Sequence, residues 1–214
     1  MVPSNYTKLA IKEIISLLFN RRDRSYETSS SSDGNHIALV IEGGGMRGVT
    51  AGGMVSALED FGLTSCFDSI HGSSAGAATG AYFLSNQASF GTSLFYEDIN
   101  NRNFINPINV LFGKPILDTS FLVDFAMVKK KPIDFKKLQA SKAKLYISCT
   151  DIDLASPYII SGFKTYDHYR SLLKASMTLP FIAGSAAKVD GRRLLDGGLL
   201  QQIAIDSAIQ AGAT

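Results

Sequence analysis

Several features that would assign the protein to a specialised class are missing from its sequence. No apolar run reaches the roughly 18 residues that a membrane-spanning helix needs. Lys12 and Glu13 interrupt the N-terminal apolar stretch, and no small-residue cleavage site follows it, so the pattern does not indicate a secretory signal. The net charge is only +2, and a charge this small does not require a nucleic-acid partner.

Cysteine and histidine are also scarce. Cys66 and Cys149 are the only cysteines among 214 residues, which indicates a reducing, cytoplasmic compartment and buried thiols rather than a disulfide framework. Neither cysteine lies in a motif typical of a nucleophile. The histidines are His36, His71 and His168, and they are too far apart in sequence to suggest a metal cluster. We therefore expect no metal and no cofactor at the site.

The remaining composition is that of one globular domain, with 45% hydrophobic and 19% charged residues. Residues 6–19 carry apolar side chains at helical spacing and precede the basic segment RRDR. Such a helix either packs on the domain or lies on a membrane surface. Residues 25–35, SYETSSSSDGN, are typical of a flexible linker. We predict an amphipathic helix and Ser-rich linker over residues 1–35 and a compact catalytic domain over residues 36–214.

Strands and helices alternate from residue 36 onward. The patterns predict strands over 36–42, 66–73 and 142–153, helices over 47–62, 75–87 and 166–180, and a hairpin over 186–198 that turns at Asp190-Gly191. Residues 86–135 show no clear period, and we expect an inserted helical or cap segment there. Because a β-α-β-α order favours parallel strands covered by helices, the predicted fold is a three-layer α/β/α domain with a mostly parallel central sheet.

Glycines follow the first predicted strand in the spacing G-x-G-x-x-G, formed by Gly43, Gly45 and Gly48. This spacing is the dinucleotide-binding fingerprint, which also needs an acidic residue at the end of the next strand, about 20 residues further on. Asp68 lies at the right distance but begins the second strand, at the opposite end of the sheet from a nucleotide. The glycines are equally suited to direct backbone N–H groups at a different anion.

A possible nucleophile follows the second predicted strand. GSSAG places Ser74 in a G-x-S-x-G pattern between a strand and a helix, as in a nucleophile elbow. At the helix N-terminus, the dipole favours a developing negative charge. No histidine follows Asp196 in LLDGGLL, so a triad in the order serine, acid, histidine cannot use this acid. A carboxylate base is the simpler hypothesis for Asp196, and an ordinary Asp-Gly turn is the alternative.

Three motifs in order, EGGGMRG, GSSAG and DGG, resemble those of the patatin-like phospholipases, lipid acyl hydrolases that use a Ser-Asp dyad. ISCTDID and LLKASMTLPFIAGSAAKVDGRRLLDGG also resemble segments of that family. The resemblance runs from about residue 37 to the end of the chain. It implies a patatin-like fold, with Ser74 as the nucleophile and Asp196 as its base.

The resemblance also assigns roles to the glycine loop. Backbone N–H groups that form an oxyanion hole usually supply the largest catalytic contribution in such enzymes. The groups implied here are the N–H groups of Gly44, Gly45 and Met46. Arg47 matches an arginine of the family that steadies the loop or a substrate phosphate. The implied activity is hydrolysis of carboxylic esters in phospholipids or other acyl lipids, through an acyl-Ser74 intermediate.

Other outcomes remain compatible with the same motifs. An acyltransferase uses the same dyad, and an inactive relative binds lipid or protein without chemistry. The sequence departs from the family at Glu42, where Asp or Ser is usual, and at Gln201 and Gln202, where Asn or Pro is common. The chain stops at QAGAT, where family members usually continue into another core strand, so we expect either a fragment or a short form of the domain.

Two segments bear on lipid binding. Residues 106–125 are apolar and are expected to line an acyl channel or cap, or to form ordinary core. Seven lysines lie between residues 129 and 144, where they either favour peripheral contact with an anionic membrane or form a solvated surface. The oligomeric state is not readable from these patterns.

Overall fold

The computed structural model of the protein describes residues 4–25 and 33–214, so most of the predicted linker lies outside the described residues. The α-helices within these ranges are α1 Ser4–Ser25, α2 Gly48–Asp60, α3 Ala75–Leu84, α4 Ala88–Ser93, α5 Phe135–Ala140, α6 Tyr166–Ser176 and α7 Ile205–Gln210. The strands are β1 Ala38–Ile41, β2 Ser69–Ser73, β3 Lys144–Asp151, β4 Ser156–Ile160, β5 Ala187–Val189 and β6 Arg192–Asp196. None of the described helices is both long and apolar enough to cross a membrane.

The described strands form one sheet with a parallel core. β1, β2 and β3 run parallel, with Leu39 opposite Ile70 and Ile70 opposite Leu145. β4 and β6 each pair antiparallel with β3, and β5 pairs antiparallel with β6. The predicted α/β class is therefore confirmed. β4 was not predicted, because Pro157 argues against a strand; an edge strand tolerates proline, and β4 pairs only with β3.

Helices cover both faces of this sheet. Successive side chains of a strand point to opposite faces. Ile70 of β2 faces α3, where it lies against Gly80, whereas His71 faces α7 and hydrogen-bonds to Ser207. β2 is buried along its whole length. Its carboxyl end is consequently fixed between the two helical layers.

The carboxyl ends of β2 and β6 meet along one edge of β3. Residues 144–148 of β3 pair with β2, and residues 149–151 pair with β6. β4 pairs with residues 147–151, which places β2 and β6 together on the opposite edge. At the junction, a Cβ on Gly197 would lie 3.0 Å from the Cβ of Ser73. The residues that end these two strands are thereby brought face to face.

The hairpin and the inserted segment test two of the local predictions. Asp190 and Gly191 both adopt positive φ, 51° and 75°, as a two-residue hairpin turn requires, so the predicted β5–β6 hairpin is confirmed. The expected helical insert is also confirmed. The insert over residues 86–135 contains α4, π-helical turns over Leu94–Asp98 and Phe121–Lys130, and a 3₁₀ helix over Pro107–Phe112. These windings depart from 3.6 residues per turn, which explains why this segment has no clear helical period.

The N-terminal helix is longer than its predicted core of residues 6–19 and packs through its C-terminal half. Arg21 is buried and pairs with Asp33 and Asp68, each at 2.7 Å. This pairing lowers the pKa of the Asp33 carboxyl. The middle of α1 exposes three isoleucines, Ile11, Ile14 and Ile15.

Candidate active site

Ser74 occupies a sharp turn between β2 and α3. Its backbone has φ 52° and ψ −127°, a conformation that costs free energy for residues other than glycine. A Cβ at Gly72 would lie 2.6 Å from the nitrogen of Ala77, and a Cβ at Gly76 would lie 2.3 Å from the oxygen of Ile41. The glycines of the G-x-S-x-G pattern are therefore required by close backbone contacts.

The N-terminus of α3 is directed at the same turn. The carbonyl oxygen of Ser74 accepts hydrogen bonds from the N–H groups of Ala77 and Ala78, at 3.1 and 3.4 Å. The partial positive charge of a helix N-terminus stabilises negative charge that develops nearby. Ser74 is partly exposed although β2 before it is buried. Its side chain is therefore placed where an incoming molecule can reach it.

Asp196 ends β6 and is only 3% exposed. Its backbone is held by Thr150, whose hydroxyl donates a 2.9 Å hydrogen bond to the Asp196 carbonyl. Burial raises the pKa of the Asp196 carboxyl; the hydrogen bond from the Gly198 N–H and the nearby Ser74 hydroxyl offset only part of this rise. The structure thus brings Ser74 and Asp196 together and gives the carboxyl a higher pKa than an ordinary aspartate.

Two residues at the end of α6 and just beyond it hydrogen-bond to the backbones of Ser74 and Asp196. The hydroxyl of Ser176 accepts a 2.8 Å hydrogen bond from the N–H of Ser74 and donates a 2.7 Å hydrogen bond to the carbonyl of Ser148. Two residues later, the carbonyl of Thr178 accepts the N–H of Asp196 at 2.9 Å. α6 ends at Ser176 rather than at Pro180, which frees these groups to make the two contacts. No positional role for Ser176 or Thr178 emerges from the sequence, because both depend on where the chain turns after α6.

Replacing Ser176 by alanine should lower kcat for ester hydrolysis by about tenfold to a hundredfold, because Ser74 loses the contact that fixes its strained backbone. KM should change little. The free energy of unfolding should fall by about 1–3 kcal/mol, since two buried groups lose a partner. The control is Ser85→Ala, which removes another buried serine hydroxyl, bonded to the Ala81 carbonyl at 2.8 Å. Equal losses of kcat in the two variants would contradict the positioning role.

The glycine loop lies directly against the serine turn. A Cβ at Gly43 would lie 3.3 Å from the Cβ of Ser74, and the N–H of Gly43 donates to the Gln202 carbonyl at 3.2 Å. Gly45 has φ 55° and lines the same pocket as Ser74. The N–H of Gly43 is thus already used, whereas the loop turns at Gly45 beside the serine. The predicted donors, the N–H groups of Gly44, Gly45 and Met46, belong to the part of the loop that follows Gly43, and their role stays a prediction.

Arg47 folds back over this loop. Its Nε would lie 3.7 Å from a Cβ at Gly44, and its N–H donates to the Gly44 carbonyl at 3.1 Å. The side chain is exposed on its outer face. That Arg47 steadies the loop or a substrate phosphate stays a prediction.

An apolar pocket begins at Ser74 and runs along α3. The space that it encloses is about 720 Å³, which includes open solvent at its mouth. Ala78 and Tyr82 follow Ser74 at intervals of four residues on the same helix face, so this wall is about 12 Å long. The insert supplies most of the opposite wall through Leu94, Phe95, Ile99, Phe104, Leu117 and Leu122. The expectation that residues 106–125 line a channel agrees with Leu117 and Leu122.

The histidines are engaged away from this pocket. His71 is fully buried between Ser69 and Ser207, and burial lowers its pKa to about 4. His36 contacts Ser69, and His168 contacts Asp190 at the surface. None of these three histidines hydrogen-bonds to Ser74 or Asp196.

The residues considered for a dinucleotide site, a catalytic cysteine or a metal site lie as follows in the described parts of the chain. Asp68 lies at the amino end of β2, where it accepts hydrogen bonds from Arg21 and from the N–H of Ile37. It is thus at the opposite end of the parallel strands from the glycine loop, which follows the carboxyl end of β1. Cys66 and Cys149 are both buried and unpaired. Within residues 4–25 and 33–214, no three His, Cys, Asp or Glu side chains are grouped to hold a metal ion.

Comparison with known proteins gives one family match. The sequence profile described as "Patatin-like phospholipase" matches residues 39–209. The uncharacterised protein YjjU of Escherichia coli K12 is 28% identical over 183 residues, which cover 83% of this chain and 49% of YjjU. Human patatin-like phospholipase domain-containing protein 6 is 25% identical over 214 residues, 95% of this chain and 15% of that protein. The matched part of the chain thus spans half or less of the length of these relatives.

The fold has a counterpart among solved structures. VipD from Legionella pneumophila superposes with a TM-score of 0.52 over 80% of this chain and 49% of VipD. Sequence identity in that comparison is 14%, so the similarity concerns the fold alone.

Proposed function

Because the chain belongs to the patatin-like phospholipase family, we propose that it hydrolyses carboxylic esters of acyl lipids through an acyl-Ser74 intermediate. One observation carries this proposal: the apolar pocket begins at Ser74, next to the buried carboxyl of Asp196. A hydrolase of polar esters has no use for such a pocket, whereas a fatty acyl chain gains about 0.8 kcal/mol for each methylene group that it buries there.

The first half of the proposed reaction forms the acyl-enzyme. The Ser74 hydroxyl attacks the ester carbonyl carbon while the Asp196 carboxylate accepts its proton. The carbonyl oxygen becomes a tetrahedral oxyanion, which N–H groups of the loop Gly44–Met46 and the N-terminus of α3 stabilise. The intermediate collapses as the C–O bond to the alcohol breaks, and the Asp196 carboxylic acid returns the proton to the leaving oxygen.

The second half releases the fatty acid. Water enters the space left by the alcohol and attacks the acyl-Ser74 carbonyl, again with Asp196 as the proton acceptor. Collapse of the second oxyanion breaks the bond to Ser74, which recovers its proton from Asp196. A raised pKa makes the carboxylate a stronger base than an ordinary aspartate, which suits both proton transfers.

The proposal is tested by incubating the purified protein with phospholipids and triacylglycerols and identifying the products by mass spectrometry. Free fatty acid with the matching deacylated lipid is the expected result. An alcohol acceptor added to the same mixture separates hydrolysis from transfer, because a transferase yields the acylated acceptor in place of free acid. Absence of both products, while lipid still binds, would indicate a binding module.

Activity should fall as the pH drops through the pKa of Asp196, because only the carboxylate accepts the Ser74 proton. Burial raises that pKa above the ordinary aspartate value of 3.8, so the acid limb of kcat/KM should be centred above 3.8 as well. The measurement is a pH profile of kcat/KM on a soluble short-chain ester. An acid limb centred at or below 3.8 would contradict the assigned base.

Enlarging Ala78 should shift the chain-length preference of the enzyme. Ala78→Leu fills the pocket one helical turn beyond Ser74, so long acyl chains lose the room for several methylene groups. We expect kcat/KM for a palmitoyl ester to fall by about tenfold to a hundredfold, given about 0.8 kcal/mol for each methylene. Hydrolysis of an acetyl or butyryl ester by the same variant is the control and should be nearly unchanged. Equal losses on short and long esters would place the acyl chain elsewhere.

A further inference from the structure

The three most exposed large apolar side chains of the described residues are Phe181, Leu111 and Phe112, at 96%, 82% and 71%. Isolated apolar residues are ordinary on protein surfaces, but a contiguous exposed patch marks an interaction site. These three side chains lie on two segments, the 3₁₀ helix Pro107–Phe112 and the loop over residues 179–184. Their position therefore depends on how the two segments meet.

The two segments contact each other directly. The N–H of Leu117, just beyond the 3₁₀ helix, donates a 2.9 Å hydrogen bond to the carbonyl of Ile182. Val110, Lys114 and Phe181 line one surface groove between the segments. Val110 and Phe181 thus share one groove, and the exposed Leu111 and Phe112 follow Val110 directly on the same 3₁₀ helix. We term Leu111, Phe112 and Phe181 the apolar rim.

The apolar rim borders the pocket that begins at Ser74. Leu117 and Leu179 line this pocket; Leu117 lies five residues beyond the 3₁₀ helix, and Leu179 begins the loop that carries Phe181. The rim residues therefore lie close in sequence to residues of the pocket wall, and the hydrogen bond between Leu117 and Ile182 joins the two chain segments there.

Phe181 is held in an unfavourable backbone conformation. Its φ is 66°, in the left-handed region that is uncommon for bulky residues and costs free energy. Because the side chain is 96% exposed, packing within the protein does not offset this cost. An aromatic side chain displayed in this way indicates a contact made outside the chain itself.

We propose that the apolar rim docks the pocket mouth onto the surface of a lipid bilayer, with Leu111, Phe112 and Phe181 inserted between acyl chains. The proposal rests on the proposed function, because a lipid substrate must leave a bilayer to enter the pocket. An apolar rim beside the pocket shortens the path that the acyl chain takes through water between one apolar environment and the other. Lys114, in the groove beside the rim, lies where lipid phosphates would be met.

The test is sedimentation of the full chain with vesicles of phosphatidylcholine and phosphatidylglycerol. The rim variant Leu111→Gln/Phe112→Gln/Phe181→Gln should bind about a hundredfold more weakly than the unaltered protein, since each buried Leu or Phe contributes severalfold or more. The matched control is Ile11→Gln/Ile14→Gln/Ile15→Gln, which removes three exposed apolar side chains from α1. The control should bind like the unaltered protein.

Several results would overturn the proposal. These are absence of vesicle binding by the unaltered protein, loss of binding in the α1 control with retention in the rim variant, and conversion of a dimer to a monomer by the rim substitutions. The last result, read by light scattering, would make the rim an interface between two copies of the chain. Hydrolysis of a soluble butyryl ester is measured alongside; its absence in the unaltered protein would defeat the proposed function and leave vesicle binding as a separate result.

A second variant separates docking from folding. Phe181→Gly places the residue best suited to a positive φ at this position, so thermal stability should be unchanged or raised. Vesicle binding should still fall, by about tenfold or more. Full vesicle binding by Phe181→Gly would show that Phe181 does not insert into the bilayer and would contradict the proposal.

Discussion

Replacing Ser74 by alanine should abolish ester hydrolysis, with a loss in kcat on the order of 10⁶ as found for nucleophile removal in another serine hydrolase. The physical reason is that the acyl-enzyme cannot form, so the remaining oxyanion donors act only on direct attack by water. The fold should be unaffected, because the Ser74 backbone keeps its hydrogen bond to Ser176. The measurement is kcat/KM on a soluble ester and on vesicle lipids.

The chain offers a matched control next to Ser74. Ser73 is also a serine of GSSAG, but it is fully buried at the end of β2, with its hydroxyl 3.5 Å from the Gln202 carbonyl. Ser73→Ala should retain activity within a fewfold of the unaltered protein. Loss of activity in Ser73→Ala, with activity retained in Ser74→Ala, would show that Ser73 is the nucleophile and that the assignment of Ser74 is wrong.

Replacing Asp196 by asparagine should also remove nearly all activity, by about 10⁴-fold or more, because the amide cannot accept the Ser74 proton. Unlike its effect on activity, the effect of this substitution on the free energy of unfolding should be neutral or favourable. Burial raises the pKa of the Asp196 carboxyl, so the native state binds this proton more tightly than the unfolded state. Stability from this group is therefore lost as the pH rises from 3.8 through the raised pKa.

Asparagine has no ionised form and avoids that loss, while its side-chain oxygen still accepts the Gly198 N–H. Asp196→Asn should consequently be as stable as the unaltered protein, or more stable, at neutral pH. Thermal unfolding at several pH values measures this directly, and the difference between the two proteins should shrink as the pH falls. A strongly destabilised Asp196→Asn at neutral pH would indicate that the carboxylate serves the fold instead of the reaction.

Local patterns predicted the parts of the fold that depend on neighbouring residues. The apolar runs of β1, β2 and β3, and the Asp190-Gly191 turn, are set by side-chain burial and by backbone conformation at two positions. β4 was missed because its edge position, which tolerates Pro157, depends on tertiary structure. The π-helical turns of the insert were missed because their period matches neither helix nor strand.

Some residues of the candidate site could likewise be identified from local sequence, whereas others could not. Ser74, Asp196 and the glycine loop are carried by short motifs, so the sequence alone identified them as candidates. The contacts of Ser176 and Thr178 depend on the turn after α6, and the pocket depends on how the insert packs on α3. Features made by distant segments have no local pattern, and they emerge only when the chain is folded.

The central claim is that Ser74 is the residue that becomes acylated. A fluorophosphonate probe reacts with activated serine nucleophiles, and peptide mapping by mass spectrometry identifies the modified residue. We expect modification of Ser74 in the unaltered protein and in Ser73→Ala, none in Ser74→Ala, and much slower modification in Asp196→Asn. Modification of a different serine, or an equal rate with Asp196→Asn, would contradict the proposed mechanism.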